Sequence, residues 1–207
     1  MMVGDLPFGS YEASDEQAVL TAQRFVKEAG CDAVKLEGMP ERARAIVRAG
    51  VPVMGHVGLT PQTATSLGGY RAQGRTAARA SQVMQDAMDL QDAGCFAVVF
   101  EAIPSEVTDL VMAHMDIVVI GIGAGPSTDG QVLVLHDLLK VHTGHVPKFV
   151  RQFADVRAEM LRGVEAYAEA VRTRTFPAPE HTYSIPPEEL DRLRARPPRR
   201  RAATNDW

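Results

Sequence analysis

Short apolar runs alternate with helix-length stretches along most of the 207 residues. Nothing else constrains the fold as much. Strand, helix and strand in regular succession argue for a parallel sheet joined by crossover helices. The strand-like runs lie at about 1–5, 33–37, 51–56, 96–101, 117–120 and 132–135. Between them, Ser14 can cap a helix with Ala18, Ala22, Phe25 and Val26 on its apolar face, and Gly30 stops it. Pro40 suits the first turn of a second helix, which runs to Ala49. A third is expected over 77–93 and a fourth over 104–114. Residues 147–172 carry apolar side chains at Phe149, Phe153, Val156, Met160, Val164, Tyr167 and Val171, which predicts a helix laid on a core.

The polar residues fall at the carboxyl ends of these runs. They are Asp5, Lys35 with Glu37, His56 and Glu101. In an α/β barrel that rim carries the active site, assembled from several strands. Residues two apart on a strand share a face, so Lys35 and Glu37 stand side by side before Gly38 turns the chain. For that pair alone a strand-end salt bridge is the better reading. Repetition over four strands favours a site. Asp5 and Glu37 are hard oxygen ligands suited to magnesium, with water and substrate completing the shell. Lys35 can meet a carboxylate. Glu101 closes a wholly apolar run, and burial there makes it a candidate base. A metal, a cation and a base together suit proton abstraction beside a carbonyl.

Other features exclude more than they assign. A net charge of −4 gives no general nucleic-acid footprint. The basic run at 196–201 reads as a solvated, disordered tail rather than a nucleic-acid contact. No apolar run reaches membrane-spanning length, and no secretory signal opens the sequence, so a cytoplasmic location is expected. Cys31 and Cys95 lie outside any CxxC pair and read as reduced, buried thiols. Residues 58–76 form a long glycine-rich, polar segment in which Arg71 and Arg75 suit either an anion or plain solvent. The glycine-rich turn at 121–125 lacks dinucleotide-fingerprint spacing.

Several motifs, taken in order, resemble ketopantoate hydroxymethyltransferase. They are DLPFGSY from Asp5, VKLEG from Val34, VMGHVGLTPQ from Val53, GGYRAQGR from Gly68, GIGAG from Gly121, DGQVLV from Asp129, HVPKF from His145 and PEHTY from Pro179. The resemblance covers roughly residues 3–183. It implies a TIM-type (β/α) barrel assembled as a decamer. It also implies transfer of a hydroxymethyl group from 5,10-methylenetetrahydrofolate to 3-methyl-2-oxobutanoate, giving 2-dehydropantoate on the way to pantothenate. By resemblance Asp5 binds Mg2+ and contacts the keto acid, Glu37 belongs to the Mg2+ shell, Lys35 binds substrate and Glu101 accepts the proton. His56 lies in the pocket by its motif and receives no firm role.

About six strands are expected against the eight of a closed barrel. Two βα units that carry a further magnesium-binding aspartate and a substrate-binding serine in the family have no counterpart here. The sequence therefore reads as a barrel truncated at its N-terminus. The catalytic domain is expected over 1–185 and a tail over 186–207. Two other readings stay open: an inactive remnant serving as a binding or assembly subunit, and a related magnesium-dependent keto-acid lyase.

Overall fold

The computed structural model describes residues 1–196. The expected disordered tail falls almost wholly outside them. The chain divides into two compact units, one over Met1–Asp155 and one beginning at Val156.

The first unit is built on six parallel strands: β1 (Val3–Asp5), β2 (Ala33–Lys35), β3 (Val53–Gly58), β4 (Ala97–Glu101), β5 (Val118–Ile122) and β6 (Gly130–Gln131). They lie side by side in chain order, β1-β2-β3-β4-β5-β6. The crossovers over the first five strands contain α1 (Asp15–Ala29), α2 (Pro40–Arg48), α3 (Ala77–Asp92) and α4 (Ser105–Met112). Strands that never reverse their order, joined by right-handed crossovers, put every helix on one face of the sheet. That is the winding of a (β/α) barrel, here as an open six-stranded portion of one.

Local chemistry explains the helix ends. The Ser14 hydroxyl accepts from the Gln17 amide, and Gly30 closes α1 in the left-handed conformation. Pro40 opens α2, and the Thr76 hydroxyl accepts from the Arg79 amide to cap α3. The core lies between sheet and helices. Val34, Val53, Val98, Phe100 and Val119 are fully buried there with Ala22, Ile46, Ala87, Leu90 and Val111. Cys31 and Cys95 are free, buried thiols, as expected, and burial pushes Cys95 up to about 12.

Gly58 is fixed by both conformation and space. Its φ is +92°, and a Cβ there would lie 2.3 Å from the Glu101 carbonyl oxygen. Gly58→Ala is therefore expected to cost about 1–3 kcal/mol of stability. A lower urea midpoint with unchanged slope is the measurement.

Two elements differ from the sequence reading. The last strand is Gly130–Gln131 rather than 132–135, and Leu135–Leu138 is a short helix, α5. β6 pairs only with β5, on one side. Beyond Val132, whose amide donates to the Gly121 carbonyl, the apolar run finds no ladder, and Val134 and Leu135 are exposed. The second difference is at 147–155, where the expected helix does not form. There Phe149 packs against Gly123, and the Phe153 amide donates to the Leu138 carbonyl. These distant contacts override the local periodicity.

In the second unit α6 spans Val156–Arg172 and α7 spans Pro187–Arg194. Helical spacing made α6 a helix, and Met160, Val164, Tyr167 and Val171 form its apolar stripe. The Tyr167 ring meets Phe176 edge-on at 5.5 Å, and Phe176 lies 5.1 Å from the His181 ring. Among the described residues no helix is long and apolar enough to cross a membrane.

Candidate active site

Strand register brings the chemistry-bearing residues onto one face. A Cβ on Gly55 would lie 2.8 Å from Leu90 of α3, so Val53, Gly55 and Val57 face the helices. Met54 and His56 therefore turn the other way. In register, Lys35 lies beside Met54, Asp5 beside Lys35, and Val99 beside His56, with Glu101 two residues further along β4. Asp5, Lys35, His56 and Glu101 thus share the face opposite the helices, at the carboxyl end of the sheet. Glu37 joins them although β2 ends at Lys35. The Leu36 and Gly38 amides donate to the Met54 and His56 carbonyls, which keeps the chain extended through Glu37.

Two clusters result. In the first, the Lys35 ammonium lies 2.8 Å from an Asp5 carboxylate oxygen; Lys35 is largely buried and Asp5 half exposed. Glu37 is 6% exposed. Its Oε2 accepts from the Gln62 amide at 3.0 Å, and its own amide donates to the Tyr11 hydroxyl. That hydroxyl donates to Gln62 Oε1, and Gln62 Nε2 donates to the Leu6 carbonyl. Tyr11 and Gln62 thus tie the loops after β1 and β3 to the end of β2. Burial pushes Tyr11 up to about 12. Burial also raises the Glu37 carboxyl, while His56, the Gln62 amide and Lys35 act in the opposite direction. The second cluster holds Glu101. His56 Nε2 lies 3.3 Å from Glu101 Oε2 and 2.8 Å from the Leu59 carbonyl oxygen. A carbonyl only accepts, so Nε2 carries the proton and faces the Glu101 carboxylate. Nδ1 is buried without a hydrogen-bond partner.

Glu101 also forms part of the wall of a cleft of about 870 Å³. Leu59, Ile122 and Phe149 give it apolar sides, and Arg71, His145 and Lys148 give it basic ones. Asp5, Lys35 and Glu37 do not line it. The Asp5, Lys35 and Glu37 cluster and this basic, partly aromatic cleft are thus separate, and Glu101 stands in the wall of the cleft.

The family model of ketopantoate hydroxymethyltransferase matches residues 1–179. The chain belongs to the ketopantoate hydroxymethyltransferase family. A relative from Desulforapulum autotrophicum, called 3-methyl-2-oxobutanoate hydroxymethyltransferase, is 52% identical over 186 residues, 88% of this chain and 69% of that protein. One of the same name from Saccharopolyspora erythraea is 51% identical over 88% of this chain and 63% of its own length. The chain thus spans about two thirds of the length of these relatives. Among solved structures, a phosphoenolpyruvate phosphomutase from Streptomyces platensis subsp. rosaceus aligns with 93% of this chain and 68% of its own, at 13% identity and TM-score 0.47.

Sequence reasoning for this ketopantoate hydroxymethyltransferase family member passed over Tyr11 and Gln62. Both lie within motifs that carried the resemblance, but what they do depends on a meeting of two loops 51 residues apart. It also left open whether Arg71 serves a ligand or solvent. The cleft puts Arg71 on the wall that includes Glu101.

The buried Glu37 carries a stability cost that a substitution can expose. Its carboxyl is raised, so the folded chain holds that proton more tightly than the unfolded chain does. The group's stabilising contribution is full below the unfolded value and is lost as pH rises through the folded one. Glu37→Gln keeps an acceptor for the Gln62 amide and removes the buried charge. The variant's thermal midpoint, relative to the native chain without metal, should be higher at pH 7 than at about pH 4. An equal difference at both pH values would contradict this.

Proposed function

We propose that this chain catalyses hydroxymethyl transfer from 5,10-methylenetetrahydrofolate to 3-methyl-2-oxobutanoate, giving 2-dehydropantoate for pantothenate synthesis. The observation that carries the reading is the shared sheet face, with Asp5, Lys35 and Glu37 at one end and Glu101 at the other. Family membership supplies the reaction. The donor set suits magnesium: Asp5 and Glu37 offer two carboxylates with hard oxygens. Mg2+ commonly takes one or two carboxylates and fills its shell with water and substrate oxygens.

Asp5 and Glu37 hold the metal in this reading, and Asp5 also touches the keto acid. When bound, Mg2+ supplies a Lewis acid that favours loss of the proton beside the keto group. Lys35 meets the substrate carboxylate. Glu101 takes the proton from the carbon next to the keto group, and that carbon forms the new bond to the one-carbon unit. Water supplies the hydroxyl group, both carbon–nitrogen bonds to the one-carbon unit break, and the abstracted proton and the water's remaining proton end on N5 and N10 of the departing tetrahydrofolate. His56 Nε2–H faces the Glu101 carboxylate and helps orient it.

We take the catalytic domain to run over 1–185, followed by a tail. Eight strands close a barrel of this type. The six here leave β1 and β6 as edges, and two further βα units, of the same or another chain, would complete the ring. A homo-oligomer, decameric as the family resemblance implies, and a cytoplasmic location belong to the same reading, without nucleic acid or membrane partners.

The test is NMR of 3-methyl-2-oxobutanoate mixed with the barrel-completed protein, Mg2+ and 5,10-methylenetetrahydrofolate. Formation of 2-dehydropantoate that requires both additions is expected. Carbon–carbon cleavage without folate-dependent transfer would point to lyase chemistry instead. Titration calorimetry adds a second check. Glu37→Ala should weaken Mg2+ binding and Lys35→Ala keto-acid binding, with non-additive effects in the double variant because the two serve one site. Simple additivity would separate them.

A further inference from the structure

The cleft beside Glu101 has a composition that the keto acid does not require. At about 870 Å³ it falls in the upper part of the range of small-molecule sites, whereas 3-methyl-2-oxobutanoate has only eight heavy atoms. Its walls are segregated. Leu59, Ile122 and Phe149 present apolar and aromatic surface, and Phe149 lies flush on Gly123, where a Cβ would come within 2.5 Å of its ring. Arg71, from the long segment after β3, and Lys148, from the segment after α5, bring two cations. Neither side chain makes an ion pair with another described residue. The one carboxylate in the wall besides Glu101 is Asp137, and it is already engaged, 2.5 Å from His142 Nε2. Aromatic surface, two unmatched cations and a base at the inner wall suit a flat heteroaromatic compound with an anionic tail.

The geometry points to this cleft as the seat of the one-carbon donor. The folate's ring system lies against Phe149 and Ile122, its glutamate carboxylates reach Arg71 and Lys148, and its one-carbon unit faces Glu101. The assignment rests on the hydroxymethyl-transfer reading. It adds that two ligands enter from different sides, the keto acid at Asp5, Lys35 and Glu37 and the folate through this cleft, and that they meet only at Glu101. Arg71 and Lys148 then determine preference for a carboxylate-tailed carrier.

Every lining residue lies in the first unit, so binding can be measured on the 207-residue chain itself by calorimetry. The ligands are tetrahydrofolate and tetrahydropteroate, which lacks the glutamate. Hydrogen bonds to charged groups contribute roughly 1.5–3 kcal/mol. Arg71→Ala and Lys148→Ala should each weaken tetrahydrofolate roughly tenfold or more. Tetrahydropteroate, which keeps only its benzoate carboxylate, should lose less affinity in both variants than tetrahydrofolate does, and the affinity for 3-methyl-2-oxobutanoate with Mg2+ should be unchanged. Phe149→Ala should weaken both pteridines. If native protein binds tetrahydrofolate and the two charge variants bind it equally well, the cleft assignment is overturned while the transfer reading stands. If native protein binds the keto acid with Mg2+ and no folate at all, the transfer reading fails and the assignment falls with it.

Discussion

Glu101→Gln should slow deuterium exchange into 3-methyl-2-oxobutanoate, at the carbon next to the keto group, by roughly 10²- to 10⁴-fold. Glutamine keeps the size of the side chain and an acceptor oxygen for His56 Nε2–H, so the site around it should stay folded. What it loses is the capacity to take a proton. Glu101 lies at the end of β4, mostly buried, with its carboxylate 3.3 Å from His56 Nε2. It is not part of the Asp5–Lys35 pair. Keto-acid and Mg2+ affinities should therefore change little, and the loss should fall on the exchange rate. Exchange followed by NMR, with binding followed by calorimetry on the same samples, separates the two. Exchange at the native rate in the variant would remove Glu101 from the role of base. A parallel collapse of Mg2+ binding would place it in the metal shell instead.

The second large effect concerns closure of the sheet. The 207-residue chain alone should turn over at least about 10²-fold more slowly than the same chain completed by two family-type βα units. Displacement of reacting groups by even 1 Å can cost that much. β1 and β6 are the sheet edges, and an open parallel edge invites pairing with other chains. On the face that carries the site, Met54 and Ile120 are only partly covered and Val118 is 48% exposed. Those positions fill the interior of a closed barrel. Asp5 lies on the edge strand, half exposed, and half of the proposed metal pair depends on it. Completion should therefore raise solubility, Mg2+ affinity and 2-dehydropantoate formation together. Equal turnover by the short and completed chains would mean that six strands, or a neighbouring subunit, already build the site.

The alternation of apolar strands and helices, with capping residues in the right places, determined the parallel sheet from sequence alone. Ser14, Gly30 and Pro40 act within a few residues of themselves, so their structural effect could be read locally. The polar residues at strand ends were legible for the same reason: strand period alone puts Lys35 and Glu37 on one face. Edges and long loops were not legible. Residues 132–135 have strand composition, but a strand needs a neighbour, and beyond the Val132 amide the run finds none. Residues 147–155 have helical spacing, but the seat of Phe149 on Gly123 outweighs it. The Tyr11–Gln62 link, the approach of His56 to Glu101 and the cleft that gathers Arg71 with Lys148 join segments far apart in the chain. Periodicity and capping act over a few residues, whereas these depend on strand register and loop packing, which only the folded sheet sets.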